Sequence, residues 1–233
     1  MSAYITAFKP ILNLIPYAII AVVGWNSYRY YQTRKLKEQA GTKRVEGIAG
    51  NSLANEKMRI RKEARAKGLI GEEGIGLYLE ELAEEYGLTV LHDLSMPGTK
   101  ANIDHVLIQK KAVFVIDAKN FQGRICVKKD SKGVMQLYVG SNKRTLIADK
   151  LKAYSEKIDA HLRENGIQVK VVPMLAFYKA NFHPDSKFVI NGVTVNVSGI
   201  KNELMRYAVK GNPEIDQVKV SDLILKKFPT KVL

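Results

Sequence analysis

Two acidic residues and a lysine lie in the most apolar part of this sequence, where charged side chains are costly to bury. Asp104 lies within the apolar residues 103–108, and Asp117 and Lys119 follow the apolar residues 112–116. A carboxylate inside a strand is disfavoured unless a partner compensates it. Side chains two positions apart on a strand point to the same face, so Asp117 and Lys119 should lie together. Pairing of the two strands would place Asp104 beside them.

The chemistry that suits this group is metal-assisted attack on a phosphate ester. Two carboxylates at close range repel each other, and this repulsion raises the pKa of one of them. A divalent cation removes the conflict, and oxygen ligands with an open coordination position suit Mg²⁺ or Mn²⁺. Lys119 would then orient a water molecule or stabilise negative charge on the phosphate. The alternative is that Asp117 and Lys119 form only a surface ion pair.

Glu72 is a third candidate acid, because it lies at the start of a predicted helix over residues 71–86. Apolar residues at helical spacing mark the inward face of this helix, and a glycine follows where a C-cap belongs: Ile75, Leu79, Leu82, Ala83, Tyr86 and Gly87. Glu72 lies three residues before Ile75 and therefore faces inward, whereas Glu73 is turned away by roughly 100°. We expect Glu72 to point at the edge of the sheet that carries the other acids.

The segments around these residues predict a sheet that brings them together. Residues 103–109 and 112–118 are strand-like and are separated by Lys110 and Lys111, which indicates an antiparallel hairpin. Further strands are predicted at residues 88–92, 124–128, 135–139, 169–177 and 189–197, and helices at residues 147–162 and from Asn212, Pro213 and Glu214 onward. This order predicts one α/β domain with a mixed sheet flanked by helices.

Four short motifs, taken in order, resemble the nuclease-related domain family, NERD. They are Gly71-Glu72 with Ile75 and Leu79, then Ile103-Asp104-His105-Val106, then residues 113–120 ending in Asp117-Ala118-Lys119-Asn120, and then Gly123. The resemblance covers residues 66–180. It implies the fold of PD-(D/E)xK nucleases, which are related to archaeal Holliday-junction resolvases and restriction endonucleases. The expected fold is therefore a restriction-endonuclease-like mixed sheet.

The resemblance also implies a role for each site residue. Glu72 would be the helix-borne acid, Asp104 and Asp117 the metal carboxylates, and Lys119 the catalytic lysine. Mg²⁺ or Mn²⁺ would be held by the two aspartates and the backbone carbonyl of Ala118, with Glu72 contributing directly or through water. DNA is the expected substrate, and homodimerisation is a further expectation.

Some positions depart from the family pattern and leave a second function open. The family usually has Glu at the position of Asp117, and Ile103 stands where the superfamily name has Pro. Residues 145–150 lack the Asn-Pro and Gln of many members, although Lys150 and Tyr154 have the spacing of the family's Q-x-x-x-Y element. The alternative to a cleaving enzyme is a nuclease-like module that binds nucleic acid or a protein partner without cutting.

Basic residues that follow Lys119 are candidates for contact with DNA phosphates. They lie in predicted loops and strand ends or, in one case, at the start of the next helix: Lys128, Lys129, Lys143, Arg144 and Lys150. A solvated surface with no partner is the alternative for such a group.

Other residue types exclude several functional classes. His92, His161 and His183 show no metal-ligand spacing, and His105 should face away from Asp104 as a packed histidine. The sequence contains neither a G-x-x-x-x-G-K-[ST] loop nor a G-x-S-x-G elbow. The single cysteine, Cys126, excludes an intramolecular disulfide framework and a cysteine-cluster zinc site. It fits a reducing compartment.

Charge is distributed unevenly along the 233 residues. The net charge is +14, from 37 Lys and Arg against 23 Asp and Glu. Residues 1–70 hold 13 basic and 4 acidic residues, whereas residues 71–233 hold 24 and 19. The hydrophobic content of 46% is that of a folding chain and excludes wholesale disorder. Most of the positive excess precedes the predicted domain and suits a membrane surface or nucleic acid.

The N-terminal segment predicts a membrane anchor. Residues 10–28 contain no charge and are long enough to span a bilayer as a helix. Trp25 and Tyr28 suit the interface, and Arg29 and Arg34 follow at once, so the positive-inside rule places the rest of the chain in the cytoplasm. A cleavable signal peptide and a buried core helix are the alternatives, but a signal peptide carries its charges before its apolar run.

These patterns divide the chain into three parts. Residues 1–31 form the predicted transmembrane anchor and its flanks, residues 32–67 a basic juxtamembrane helix or tether, and residues 68–233 the nuclease-like domain. We expect a single-pass protein of the cell membrane, inner or plasma, with its C-terminal domain in the cytoplasm. Each basic residue of the tether near an anionic leaflet contributes on the order of 1 kcal/mol to binding. Guidance of DNA by the tether is the alternative.

Overall fold

The computed structural model describes residues 44–47, 49, 62–208 and 214–231. The helices are α1 (Lys62–Tyr86), α2 (Leu146–Glu164), α3 (Ile200–Ala208) and α4 (Gln217–Lys227). The strands are β1 (Arg44–Glu46), β2 (Thr89–Ser95), β3 (Asn102–Gln109), β4 (Ala112–Lys119), β5 (Arg124–Lys129), β6 (Met135–Val139), β7 (Asn142–Lys143), β8 (Lys170–Phe177), β9 (Asn181–Phe182), β10 (Val189–Ile190) and β11 (Val193–Val195).

A seven-stranded mixed sheet forms the centre of the domain, in the order β1-β2-β3-β4-β8-β11-β10. The strands β2, β3 and β4 are antiparallel neighbours, whereas β4, β8 and β11 run parallel. A smaller sheet has the order β7-β6-β5-β9. The prediction of a mixed α/β fold with a sheet flanked by helices is confirmed, as is the hairpin of β3 and β4.

The two faces of the large sheet bury separate hydrophobic clusters. On one face pack α1 and α3, through residues such as Leu79, Tyr86 and Leu204, against Phe114 and Ile116. On the other face pack α2, α4 and the small sheet; their contributions include Leu151, Ile158, Val220, Ile224, Ile125 and Leu137. Alternate residues of β4 therefore face different layers, which explains why the strand reads as an almost continuous apolar run.

Helix α1 keeps the predicted apolar stripe and end but begins earlier than predicted. It starts at Lys62 instead of residue 71, because the Lys, Glu, Ala and Arg residues of this extension have good helix propensity. It ends where Gly87 adopts a positive φ of 60°, and Leu88 N–H donates to Ala83 O at 3.1 Å. This bond is the 6→1 contact of a Schellman C-cap.

Two predictions near the C-terminus were wrong in detail, and one helix was missed. The strand predicted over residues 189–197 is divided into β10 and β11 by a turn in which Asn191 and Gly192 both have positive φ. The last helix begins at Gln217, not near residue 212, because the Asp216 side chain accepts hydrogen bonds from two backbone N–H groups and caps it. Helix α3 was not predicted.

The segment predicted as a tether contributes a strand to the sheet. Residues Arg44–Glu46 pair in parallel with Thr89–Leu91 of β2. The predicted transmembrane helix, residues 10–28, lies outside the described residues. Among the helices of the described part of the chain, none combines the length and the apolar sequence needed to cross a bilayer.

Candidate active site

The predicted acids lie where two strands of the large sheet part from each other. The ladder between β3 and β4 runs from Gln109–Ala112 to His105–Ile116 and then stops, although β3 continues beside β2 and β4 continues beside β8. Asp104 and Asp117 are the next residues on the separated strands. The gap opens at the carboxyl end of β4, where side chains from several strands can meet.

Asp104 bridges this gap with its side chain. Its Oδ2 accepts a hydrogen bond of 2.8 Å from the backbone N–H of Ala118. The carboxylate thus takes the place that a main-chain carbonyl of β3 would hold in a continued ladder. Asp104 is only 6% exposed, so this bond also compensates part of the cost of burying the charge.

The ammonium group of Lys119 lies among the oxygen atoms of the candidate site. Its Nζ is 2.7 Å from Asp117 Oδ1, 3.0 Å from the Ala118 carbonyl oxygen and 3.7 Å from Asp104 Oδ2. The spacing of two residues on β4 therefore places Asp117 and Lys119 on one face, as predicted. The buried second acid, Asp104, distinguishes this group from a plain surface ion pair.

Helix α1 brings Glu72 to the same edge of the sheet. Glu72 is 7% exposed and faces inward, whereas its neighbour Glu73 is exposed. Close contact between α1 and the end of β4 depends on Gly71, because a Cβ added there would lie 2.6 Å from the Cβ of Asn120. Asn120 Nδ2 also donates to the Lys67 carbonyl at 2.9 Å and so ties the helix to the residue after Lys119.

The electrostatics of the site are those of one charged lysine, Lys119, surrounded by several acidic side chains. Burial, followed by the charge of Asp104, raises the pKa of Glu72 to about 9. Burial raises the pKa of Asp117 to about 7, although Lys119 opposes this shift. Burial would lower the pKa of Lys119, but Asp104 and Asp117 outweigh it and raise its pKa above the usual value. At neutral pH, Glu72 is therefore protonated and Lys119 is charged.

The donor atoms fit a hard divalent cation. Asp104, Asp117 and the Ala118 carbonyl offer only oxygen, which Mg²⁺ and Mn²⁺ prefer. No group of three or more His, Cys, Asp or Glu side chains within the described residues is arranged to hold a metal. Two carboxylates and a carbonyl are nevertheless a usual protein contribution for Mg²⁺, which keeps several waters and binds substrate phosphates.

The structure adds one acid that the sequence did not single out. Asp93 on β2 is 1% exposed and lies at the rung opposite Asp104, where the ladder skips from His92–His105 to Leu94–Ile103. Its φ is +52°, an uncommon value for a residue other than glycine. Asn102 Nδ2 donates to Asp93 Oδ1 at 2.9 Å.

The charge of Asp93 is one of those that raise the pKa of Glu72. Asp93 belongs electrostatically to the site for this reason. In the sequence it follows a predicted strand, where aspartate is an ordinary turn residue, so no signal distinguished it.

The basic residues predicted to contact DNA do not form one surface but lie at several different places. Lys128 lies on the outer face of the small sheet, with its Nζ 5.2 Å from the centre of the Tyr138 ring, and it lines an open groove of about 550 Å³ together with Arg124. Lys143 and Arg144 line a different cavity of about 530 Å³. Lys129, at the end of β5, and Lys150, on α2, are exposed, and neither of them lines these two cavities.

Residues 67–178 match the family model of the nuclease-related domain, NERD. This range extends from α1 to the end of β8 and contains all four predicted catalytic residues, Glu72, Asp104, Asp117 and Lys119. No curated protein and no solved structure was found to match the chain. The match covers just under half of the chain and supports the resemblance seen in the sequence motifs.

Proposed function

We propose that this nuclease-related domain is a metal-dependent nuclease of restriction-endonuclease-like fold that cleaves phosphodiester bonds in DNA. One observation carries the proposal. Three oxygen donors, from Asp104, Asp117 and the Ala118 carbonyl, lie within 3.7 Å of Lys119 Nζ at the point where β3 and β4 part. Acids grouped around a lysine at the carboxyl end of a strand have no evident packing role, whereas metal-assisted phosphoryl transfer can use this combination of groups.

The residues of the site have distinct tasks in this proposal. Asp104, Asp117 and the Ala118 carbonyl would hold Mg²⁺ or Mn²⁺, with Glu72 assisting directly or through water. The bound ion would supply Lewis-acid polarisation of the phosphate and activation of water. The Ala118 N–H fixes the direction of the Asp104 carboxylate. Lys119 donates from its ammonium to a phosphate oxygen or to the attacking water.

The groove on the small sheet is the proposed path of the DNA strand. Arg124 and Lys128 supply positive charge beside Tyr138, a combination that suits phosphates and a stacked base. Arg124 follows Lys119 by five residues, so their Cα atoms are at most about 18 Å apart. A strand in the groove therefore reaches the candidate site within a few nucleotides. Lys129, Lys143, Arg144 and Lys150 are proposed as weaker contacts.

We also propose that the domain works at a membrane. The uncharged residues 10–28 and the basic residues after them support a single-pass anchor in the cell membrane, inner or plasma, with the nuclease domain in the cytoplasm. The basic residues before α1 would lie near anionic lipid. A reporter enzyme fused after residue 233 tests this topology, and an extracytoplasmic signal would contradict it. Homodimerisation belongs to the same proposal and is tested by light scattering of the purified chain.

A module that binds without cutting is the second candidate function. It is favoured by residues 145–150, which lack the Asn-Pro and Gln of many family members and present an exposed Lys150 instead. In that case the acids would bind an ion or a partner without hydrolysis. The two functions differ in one measurable respect, which is turnover of a DNA substrate.

The test is a cleavage assay with the full-length chain in detergent. Plasmid, linear and branched DNA are incubated with Mg²⁺ or Mn²⁺, and Asp117→Ala and Lys119→Ala are compared with wild type. We expect each variant to lose at least about 100-fold in rate, because each removes a group that stabilises developing charge. Lys157→Ala, an exposed lysine on α2, is the matched control. DNA binding without cleavage under both metals would support the second function, and equal cleavage by the variants would contradict the first.

A further inference from the structure

Asn102 contacts two buried acids of the candidate site with one side-chain amide. Its Nδ2 donates to Asp93 Oδ1 at 2.9 Å and lies 3.5 Å from Asp104 Oδ1. Asp93 and Asp104 are 1% and 6% exposed, whereas Asn102 is half-buried at the start of β3. A single NH₂ group therefore reaches a carboxyl oxygen on β2 and another on β3.

Both strands change their alternation at the rung that holds the two acids. Side chains three residues apart on a regular strand face opposite sides of the sheet. Two such pairs nevertheless belong to one hydrophobic cluster, namely Leu91 with Leu94 on β2 and Ile103 with Val106 on β3. The positive φ of Asp93 accounts for the change on β2, and the ladder between the two strands skips this rung. The directions of the two acids are therefore set by side-chain contacts instead of by regular pairing.

The amide of Asn102 offsets the repulsion expected between the two acids. Like charges opposite each other on neighbouring strands destabilise a sheet. Each hydrogen of the Nδ2 group can serve a different carboxylate, whereas the reverse orientation would place the amide oxygen against both of them. The chemistry of the contacts therefore allows only the amide orientation that the structure has.

The two contacts of Asn102 differ in length, and this difference suits an acid that also binds an ion. The bond of 2.9 Å to Asp93 fixes the amide, because hydrogen bonds to a carboxylate are strong. The contact of 3.5 Å to Asp104 Oδ1 is weak, so it directs this oxygen without saturating it. The other oxygen, Oδ2, accepts from the Ala118 N–H at 2.8 Å. Each oxygen of the Asp104 carboxylate thus has its own donor.

We propose that Asn102 and Asp93 are positioning residues that set the plane of the Asp104 carboxylate. Asp93 orients the Asn102 amide, and the amide in turn directs Asp104 Oδ1. A contact at Oδ2 alone would leave the carboxylate free to turn, because the χ2 torsion of aspartate has a broad energy minimum. The inference deepens the proposed function, since Asp104 is one of its metal ligands, but its first readout needs neither metal nor cleavage.

The first readout is the backbone amide of Ala118, measured by nuclear magnetic resonance of the full-length chain in detergent without metal. In Asn102→Ala we expect this amide proton to shift and to exchange about 5-fold faster, because the carboxylate that accepts from it is no longer held in plane. Amides of α4 should stay unchanged. Thr99→Ala is the matched control, since it removes a hydroxyl that donates to the Met96 carbonyl in the loop before β3 but leaves Asp104 untouched.

An exchange of the two side chains separates positioning of Asp104 from a purely structural bond. Asp93→Asn combined with Asn102→Asp keeps the total charge and allows a hydrogen bond between the two positions, but it faces Asp104 with a carboxylate. Asparagine also tolerates the positive φ at the first position. We expect the Ala118 amide in this double variant to exchange at least as fast as in Asn102→Ala.

The affinity for Mn²⁺ in the same samples is the second readout. Calorimetric titration should give a Kd about 10- to 100-fold higher in Asn102→Ala than in wild type, the usual range for residues that orient a metal ligand, and an unchanged Kd in Thr99→Ala. A wild-type Kd in Asn102→Ala would overturn the proposal.

The metal-free spectra decide the proposal independently of the enzyme's activity. An unchanged Ala118 amide in Asn102→Ala, an equal change in Thr99→Ala, or wild-type exchange in the double variant would each overturn it. A wild-type chain that binds no Mn²⁺ or cleaves no DNA would contradict only the proposed function, because the Ala118 amide is measured without metal or substrate.

Discussion

The carboxylate of Asp104 accepts a hydrogen bond of 2.8 Å from the backbone N–H of Ala118, across the gap where β3 and β4 part. A side chain on one strand is thereby held by the main chain of the other. The carbonyl of the same residue, Ala118, faces Lys119 Nζ at 3.0 Å. One peptide segment of β4 thus orients an acid with its N–H and presents a further oxygen to the site.

Divalent metal should stabilise the folded chain through Asp117. At a concentration 100 times the Kd, a ligand that binds only the folded state adds about 2.7 kcal/mol, which raises the Tm of a chain of this size by about 5 to 10 °C. We expect this shift with Mg²⁺ or Mn²⁺, its reversal by chelator, and its loss in Asp117→Asn. Asp185→Asn, a surface aspartate at 88% side-chain exposure, is the control. A full shift in Asp117→Asn would exclude Asp117 as a ligand.

Glu72→Gln should remove part of the pH dependence of stability in metal-free buffer. The pKa of Glu72 is raised from 4.5 to about 9 by burial and by Asp104, so between these values the folded chain binds more protons at this site than the unfolded chain. The stabilising contribution of the Glu72 side chain is complete below pH 4.5 and is lost as the pH rises toward 9. Over this range the free energy of unfolding falls by about 1.4 kcal/mol per pH unit.

A glutamine does not titrate, so Glu72→Gln should gain stability relative to wild type as the pH rises from 5 to about 9. Urea unfolding at several pH values measures this difference in free energy. Glu73→Gln, at the exposed neighbouring position, should follow wild type throughout. If the free energy of unfolding depends on pH in the same way in Glu72→Gln and in wild type, Glu72 is not protonated in the folded chain at neutral pH.

Alanine at both Arg124 and Lys128 should weaken DNA binding in a salt-dependent way. Each phosphate contact contributes about 0.9 to the slope of log K against log salt for duplex DNA, so the double variant should lose about 1.8 from that slope. Fluorescence anisotropy over a salt series, with metal omitted to prevent cleavage, gives the slope directly. Lys219→Ala with Lys226→Ala removes equal charge from α4, where neither lysine lines the groove, and should lower the slope far less. Equal loss in both double variants would indicate unspecific attraction.

Gly71→Ala should destabilise the domain although alanine favours helices. The added methyl group would lie 2.6 Å from the Cβ of Asn120, and neither carbon can rotate away. We expect α1 to move from the end of β4, at a cost of about 1 to 3 kcal/mol that exceeds the roughly 1 kcal/mol gained in helix propensity. Glu73→Ala controls for substitution on the exposed side of α1. A higher Tm for Gly71→Ala would show that the contact with Asn120 is not tight.

Local periodicity accounts for the site residues that were found from the sequence. A period of two places Asp117 and Lys119 on one face of β4, and a period of 3.6 turns Glu72 inward and Glu73 outward. Both rules act within one element, so they hold without knowledge of the partners. The same rules failed for residues 189–197, where a turn at Asn191 and Gly192 interrupts an apolar run.

The sequence by itself determined the candidate acids, the lysine beside them and the mixed α/β architecture, because hydrophobic spacing and charge are local properties. Only the tertiary structure decided that β3 pairs with β4 from His105 onward and not before it, that Asp93 lies opposite Asp104, and that Glu80 lies close to the buried His92. Each of these depends on pairing between segments that are distant in the chain. Such pairing is decided by how whole faces pack, and no short stretch of sequence contains that information.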